Sequence, residues 1–334
     1  MTPPSAATPV RLIGRHDESD PSGPRFAWSG SGVEARFRSS AIAVRLAGSS
    51  DYFRVLVDGR ELPPLGASPT TELYPLAAGL TPGPHRVELV KRTEPLVGET
   101  QFLGFELDED GALLPPPAAP GRRLELIGDS VTAGFGVGGA NERCKFSPET
   151  EDFTRSYAAL TAAALGAEPV AIAWSGRGVV RNHADEPGDP MPVLYERTLP
   201  ARPESRWDFG RWTADAVVVA LGTNDFSVGR CPPARAFVEA YAGLLARVRG
   251  VYPRAAVFCG LGPMLLGAEL DEARRRIEEA IALASSEASA RPRLVEFPPQ
   301  SAEEGYGCDG HPSARTHRRM AAQLTAAIRA DVGW

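Results

Sequence analysis

The sequence predicts an α/β protein in two parts. An antiparallel β-sandwich over residues 1–115 precedes a parallel sheet covered by helices over residues 121–334. Three observations carry this reading. The first third consists of short runs of alternating apolar and polar residues broken by turn residues, the period-two pattern of half-buried strands. A stretch from Leu114 to Pro120 is rich in proline, which favours stiff extended backbone, so residues 116–120 read as a linker. Beyond it, apolar runs alternate with helical segments, the order that builds βα units and a buried parallel sheet.

In the first part, residues 33–38, 41–46 and 52–57 alternate. Asp58-Gly59 follows the third run, and both residue types accept the positive φ of a two-residue hairpin turn. Residues 85–92 and 101–107 continue the pattern, and no convincing helix precedes residue 115. In the second part, strands are expected at 123–127, 169–174, 216–221, 256–261 and 293–297. Helices are expected at 154–165, 233–249, 268–289 and 313–331, the last with Pro312 as its first residue. Ligands of such sheets bind beyond the carboxyl ends of the strands.

Four segments fall at or near such ends. They are Gly128-Asp129-Ser130, Ser175-Gly176-Arg177-Gly178, Gly222-Thr223-Asn224-Asp225 and, near the C-terminus, Asp309-Gly310-His311-Pro312-Ser313. Each alone reads as an ordinary turn or cap. Together they supply a hydroxyl nucleophile, a backbone donor, an amide donor and an imidazole base, the parts that ester hydrolysis through a serine needs. Ser130 is the candidate nucleophile and His311 the candidate base. Ser130 N–H, Gly176 N–H and the Asn224 side-chain amide are the candidate oxyanion donors. His16, His85 and His183 lie in loops or strand patterns, and His317 falls on what reads as the solvated face of the last helix.

Composition narrows the alternatives. A net charge of -6 and the lack of a basic stripe argue against a nucleic-acid partner. No stretch is long and apolar enough to span a membrane, and the first nine residues show no signal peptide. Cys144, Cys231, Cys259 and Cys308 form no CxxC pair and no zinc-finger spacing, so no metal is expected. Cys259 sits in an apolar run and reads as buried. The other three lie in loops beside the chemical segments, and spacing leaves open whether two of them pair. The loop around Gly176 has neither a P-loop lysine nor a full GxGxxG, so no nucleotide cofactor is expected.

The four segments resemble the blocks of SGNH (GDSL-type) hydrolases at Ser130, Gly176, Asn224 and His311. Cys144-Lys145-Phe146-Ser147-Pro148-Glu149-Thr150, Trp174 before the glycine loop, Phe226-Ser227 and Cys308-Asp309-Gly310-His311-Pro312-Ser313 narrow the resemblance to carbohydrate esterase family 2. The resemblance implies a flavodoxin-like SGNH domain preceded by a jelly-roll-like sandwich. It also implies a cofactor-free serine esterase that removes O-acetyl groups from polysaccharides such as xylan and glucomannan. An acetylated polysaccharide or oligosaccharide would be the partner, a monomer the acting species, and the extracellular space or cell envelope the location suggested by such a substrate. Two departures from the family pattern stand out. Most SGNH enzymes carry an aspartate three residues before the histidine, where this chain has Cys308; Asp309 is one place nearer, a spacing similar to that of Ser-His dyads oriented by a main-chain carbonyl. Gly310 stands where the family places a tryptophan, leaving Trp174, Tyr195, Trp207, Trp212 and Phe226 as candidate sugar platforms. The alternatives are a GDSL-type lipase or thioesterase and a carbohydrate-binding protein with an inactive hydrolase domain. No long apolar lid favours the former, and intact Ser130, Asn224 and His311 argue against the latter.

Overall fold

The computed structural model describes residues 9–285 and 291–334. In chain order the first strands are β1 (Val10–Ile13), β2 (Arg25–Phe26), β3 (Gly32–Arg38), β4 (Ala41–Ala47), β5 (Tyr52–Val57), β6 (Arg60–Glu61), β7 (Leu65–Gly66), β8 (Leu73–Ala78), β9 (His85–Lys91), β10 (Thr100–Leu107) and β11 (Ala112–Leu114). They form two antiparallel sheets. One runs β1-β3-β9-β5-β6, with β11 beside β3 and β7 beside β5; the other runs β2-β10-β4-β8. Val33, Phe53, Val55 and Leu89 of the first sheet meet Phe26, Val44, Leu46 and Phe102 of the second in one core. Each such side chain contributes about 1.5–3 kcal/mol when fully buried. Asp58 (φ 53°) and Gly59 (φ 77°) turn the chain from β5 to β6, pairing Val57 with Arg60. Edge strand β8 escapes the sequence pattern because Pro75 interrupts it and only Tyr74 of its residues is buried.

The second part begins with β12 (Arg122–Gly128) and continues with β13 (Ala167–Ala173), β14 (Ala216–Ala220), β15 (Ala256–Leu261) and β16 (Arg293–Glu296). All pair in parallel, in the order β13-β12-β14-β15-β16, which is the flavodoxin-like order. The helices are α1 (Ser130–Ala133), α2 (Tyr157–Leu165), α3 (Met191–Leu194), α4 (Thr223–Phe226), α5 (Ala234–Val251), α6 (Gly267–Ala284) and α7 (Ala314–Val332). Strand alternation feeds both helix layers. Ile127, Val217, Val219 and Val257 pack with residues of α5 and α6, whereas Leu126, Val218 and Phe258 pack with residues of α2 and α7.

Three details differ from the sequence reading. Ser313 caps α7, its hydroxyl accepting from Arg315 N at 3.2 Å and Thr316 N at 3.3 Å, so Pro312 precedes the helix. His317 is fully buried on the inner stripe of α7, where its Nδ1 accepts the Tyr157 N–H at 3.0 Å. The expected helix 154–165 is split into a 3-10 turn at Phe153–Arg155 and α2, with Ser156 as the cap of α2. The end of the expected helix 268–289 lies outside the described residues; α6 closes at Ala284.

The two parts share a dense polar and aromatic interface. Arg15 of the sandwich is fully buried among Tyr195, Trp207 and Phe209 and bonds Glu125 at 3.2 Å and the Arg197 carbonyl at 3.1 Å. Trp28 packs into the second core and donates its indole N–H to the same carbonyl at 3.3 Å. Arg92 reaches the carbonyls of Glu149 and Glu151, and Arg202 pairs with Glu99.

Candidate active site

The first site segment is a strand-to-helix turn. β12 ends at Gly128, where a Cβ would sit 2.0 Å from Thr132 Oγ1, so only glycine allows the chain to fold so tightly. Asp129 caps α1, its Oδ1 accepting from Val131 N at 3.0 Å. Ser130, the first residue of α1, is thereby held beyond the carboxyl end of β12, between β13 and β14 in the sheet. Its Oγ lies 3.0 Å from His311 Nε2, within hydrogen-bond reach.

His311 follows a 3-10 turn, Cys308–Gly310, in which Asp309 (φ 51°) and Gly310 (φ 73°) are left-handed. That turn is fastened on several sides. Cys308 forms a disulfide with Cys144, Cys308 N donates to Gly136 O at 3.0 Å, Asp309 N donates to Cys144 O at 2.9 Å, and Gln300 donates to Gly310 O at 2.8 Å. The disulfide answers the pairing that spacing left open; Cys231 is free and exposed, Cys259 free and buried. Phe135 packs on the imidazole with ring centroids 4.2 Å apart, and Phe146 stacks on Phe135 at 4.3 Å. Phe146 stood in the Cys144–Thr150 block without an assigned role and Phe135 was unmarked, because their contact is set by a loop closure across the disulfide.

Asp309 does not reach the imidazole. Its carboxylate accepts from Lys145 Nζ at 2.8 Å and from Phe146 N at 2.9 Å, and the Lys145 ammonium holds it below the usual carboxylate range. His311 Nδ1 is buried and makes no hydrogen bond among the described residues; the nearby main-chain carbonyls of Cys308 and Asp309 and the Asp309 charge favour the charged ring. Burial outweighs them and lowers the His311 pKa to about 4, which leaves a neutral imidazole at pH 7. Asp309→Ala is therefore expected to lower kcat on an activated acetyl ester by about tenfold to a hundredfold, far short of the roughly 10⁴-fold loss for an aspartate that orients a catalytic histidine. Steady-state kinetics of Asp309→Ala and Asp309→Asn, with circular dichroism to verify folding, measure this. Near-complete inactivation of both folded variants would assign Asp309 an orienting role.

Gly176 and Asn224 complete the cleft. Gly176, in the loop after β13, has φ 77°, a conformation that side chains other than glycine rarely adopt. The loop behind it is clamped by Asp225, whose carboxylate accepts from Val179 N, Val180 N and Arg181 N at 2.9–3.1 Å. Gly178 leaves room for that carboxylate, since a Cβ there would lie 2.6 Å from Asp225 Oδ2. Asn224 stands on α4. Its Nδ2 donates to Arg177 O at 2.9 Å and, over a longer 3.3 Å, to Asp129 Oδ2. Burial raises the Asp129 carboxyl to about 7 and the Asp225 carboxyl to about 6; the charges of Asp225 and Glu94 add to the effect on Asp129.

Ser130, Gly176, Asn224 and His311 thus line one cleft of about 630 Å³, together with Trp174, Phe135 and, from the sandwich, Leu96. Of the aromatic residues considered for a sugar platform, Trp174 alone lines it. Tyr195 and Phe226 are fully buried, Trp207 is buried under Arg15, and Trp212 donates to Glu168 at 3.0 Å away from the cleft. Arg177 lies over the Trp174 ring at 5.0 Å. Among the described residues no cluster of three or more His, Cys, Asp or Glu could hold a metal ion, and no helix is long and apolar enough to cross a membrane.

A flavodoxin-like sheet that brings a serine-histidine contact, a glycine and an asparagine into one cleft is the arrangement of the GDSL-type class. Residues 126–319 match the GDSL-like Lipase/Acylhydrolase family, and residues 12–117 match the Carbohydrate esterase 2 N-terminal family. The chain is 42% identical over its whole length to cellulase/esterase CelE of Acetivibrio thermocellus and spans 41% of that protein. It is 26% identical to an acetylxylan esterase / glucomannan deacetylase of Cellvibrio japonicus, covering 97% of this chain and 89% of that one. A family two carbohydrate esterase from Clostridium thermocellum, solved in complex with cellohexaose, superposes with a TM-score of 0.93 at 42% identity, covering 97% of this chain and 99% of that one. A carbohydrate esterase family 2 enzyme with a carbohydrate binding domain from Corynascus thermopiles gives 0.87 at 31% identity, covering 97% and 100%. The chain belongs to carbohydrate esterase family 2.

Proposed function

We propose that this protein is a serine esterase that removes O-acetyl groups from a xylan- or glucomannan-like polysaccharide through an acyl-enzyme. The observation that carries the reading is the 3.0 Å contact of Ser130 Oγ with His311 Nε2 in the cleft that also holds Gly176 and the Asn224 amide. The names of the relatives supply the substrate class.

In this reading His311 takes the Ser130 proton as the oxygen attacks the acetyl carbonyl. The tetrahedral oxyanion accepts from Ser130 N–H, Gly176 N–H and Asn224 Nδ2, and the long Asn224–Asp129 contact is the one it displaces. The imidazolium then gives its proton to the departing sugar oxygen, leaving acetyl-Ser130. Water, deprotonated by His311, releases acetate and restores the serine. Ser130 and His311 work as a dyad, with main-chain carbonyls in place of an acid. Trp174 offers the sugar a flat apolar face. The sandwich, residues 1–115, and the hydrolase domain, residues 121–334, act as one unit across the linker 116–120, and the enzyme works as a monomer without metal or cofactor.

The test is acetate release from acetylated xylan and glucomannan, with p-nitrophenyl acetate followed across pH. Because the His311 pKa is lowered from 6.5 to about 4, the ring stays in its basic, neutral form as pH falls through 6.5. The acid limb of kcat/KM should therefore titrate well below 6.5, toward about 4–5. No acetate release from any acetylated polysaccharide would overturn the substrate reading. A limb at or above 6.5 would remove the depressed imidazole as the base.

A further inference from the structure

Glu94 belongs to the sandwich, in the loop between β9 and β10, yet it is fully buried against the hydrolase domain. Both of its carboxylate oxygens accept from Ser175: Oε2 from the backbone N–H and Oε1 from the hydroxyl. Ser175 is the residue before Gly176, so this contact fixes the peptide whose next N–H is the proposed oxyanion donor. Two donors from one residue favour the ionised form of that carboxyl.

Glu151, also fully buried, lies beside Glu94. Its Oε2 accepts the Glu94 backbone N–H at 3.1 Å, while its Oε1 is buried with no partner among the described residues. Two ionised carboxylates cannot share such a site, so one of them keeps a proton. The two Ser175 donors and the Lys91 charge favour the negative charge on Glu94, which leaves the shared proton to Glu151. Burial first, and then the Glu94 charge, push the Glu151 carboxyl well up. Burial raises the Glu94 carboxyl as well, opposed by the two Ser175 donors and by the charge of Lys91, which is itself paired with Asp51 at 2.7 Å; Asp129 in turn feels the Glu94 charge.

We infer that Glu94 is a positioning residue of the oxyanion loop, supplied by the sandwich domain, and that Glu151 beside it carries the proton that lets it stay ionised. This rests on the esterase reading. The sandwich then takes part in turnover by setting where the Gly176 N–H points.

The test is steady-state kinetics of Glu94→Gln, Glu151→Gln and Ser175→Ala on p-nitrophenyl acetate, with thermal unfolding to verify the fold. Glu94→Gln keeps one acceptor oxygen for the Ser175 N–H but removes the charge and turns the second contact into a donor facing the Ser175 hydroxyl, so both charge-assisted bonds that hold the loop weaken. The expected result is a kcat lower by about tenfold to a hundredfold, with KM within about threefold, because the lost interaction matters in the transition state. Glu151→Gln keeps a neutral donor beside Glu94 and should hold kcat within about threefold. Ser175→Ala keeps the N–H contact and loses the hydroxyl one, for a loss of about threefold to tenfold in kcat. A merely structural pair would lose equally in both glutamine variants, and that result would overturn the inference, as would an unchanged kcat in folded Glu94→Gln. If Glu94→Gln does not fold, an unchanged kcat in Ser175→Ala overturns it. A wild-type protein without turnover would overturn the esterase reading and the inference with it.

Discussion

Ser130→Ala is expected to lower kcat on acetyl esters by about 10⁴-fold or more while the fold persists. The variant deletes one oxygen at a buried position beside His311, and the turn that holds residue 130 depends on Gly128 and the Asp129 cap, which remain. The oxyanion donors and the cleft also remain, so KM should change little. His311→Ala is expected to cost a comparable amount, because the serine hydroxyl has no other base among the side chains that bond it. The two losses should not add. A dyad acts as one unit, so the double variant should be about as slow as the slower single variant. Kinetics of the three variants on p-nitrophenyl acetate and on acetylated polysaccharide measure this. Substantial turnover by folded Ser130→Ala would dismiss Ser130 as nucleophile, and multiplicative losses would separate the two residues into independent roles.

The fragment 121–334, without the sandwich, is expected to fail to fold as a soluble protein. Removing Arg15 leaves Glu125 buried with only the Tyr195 and Tyr252 hydroxyls as partners at 2.8 and 3.3 Å. Loss of one member of a buried ion pair costs about 3–5 kcal/mol. Removing Trp28, which packs in the core of the hydrolase domain, opens a cavity worth about 3–5 kcal/mol more. The sum approaches the whole stability of an ordinary domain, about 5–15 kcal/mol. Any fragment that did fold would also lack Glu94 behind Ser175. Soluble yield, thermal unfolding and kcat of the fragment beside the full chain decide the matter. A monodisperse fragment with the same Tm and kcat would show the interface to be dispensable.

The sequence discloses the parallel sheet well because its strands are short apolar runs, three of them ending at or within two residues of a glycine: Gly128, Gly222 and Gly262. The Asp58-Gly59 hairpin is equally plain, since its two positive φ values demand those residues. Ser130, Gly176, Asn224 and His311 were legible for a related reason: each follows a glycine turn or opens a loop at a strand end. What stayed hidden depends on contacts between distant segments. His317 reads as solvated because a histidine at that phase of a charged helix has no local reason to be buried; its partner, Tyr157 N, is 160 residues away. Tyr195, Trp207 and Phe226 read as candidate sugar platforms because an aromatic residue looks the same in sequence whether it lines a cleft or fills a core. Glu94 could not be found at all, since it lies 81 residues from Ser175 and in the other domain. Asp225 stood next to a candidate residue, but its role in gathering three backbone N–H groups is a property of the folded loop.

The most direct measurement is to trap the acyl-enzyme. The enzyme is mixed with p-nitrophenyl acetate, quenched in acid within the first turnovers, digested and analysed by mass spectrometry. An acetyl ester on the peptide that contains Ser130, absent in Ser130→Ala, is the expected result. Turnover with no acetylated Ser130, or with the acetyl group on another residue in both proteins, would contradict it.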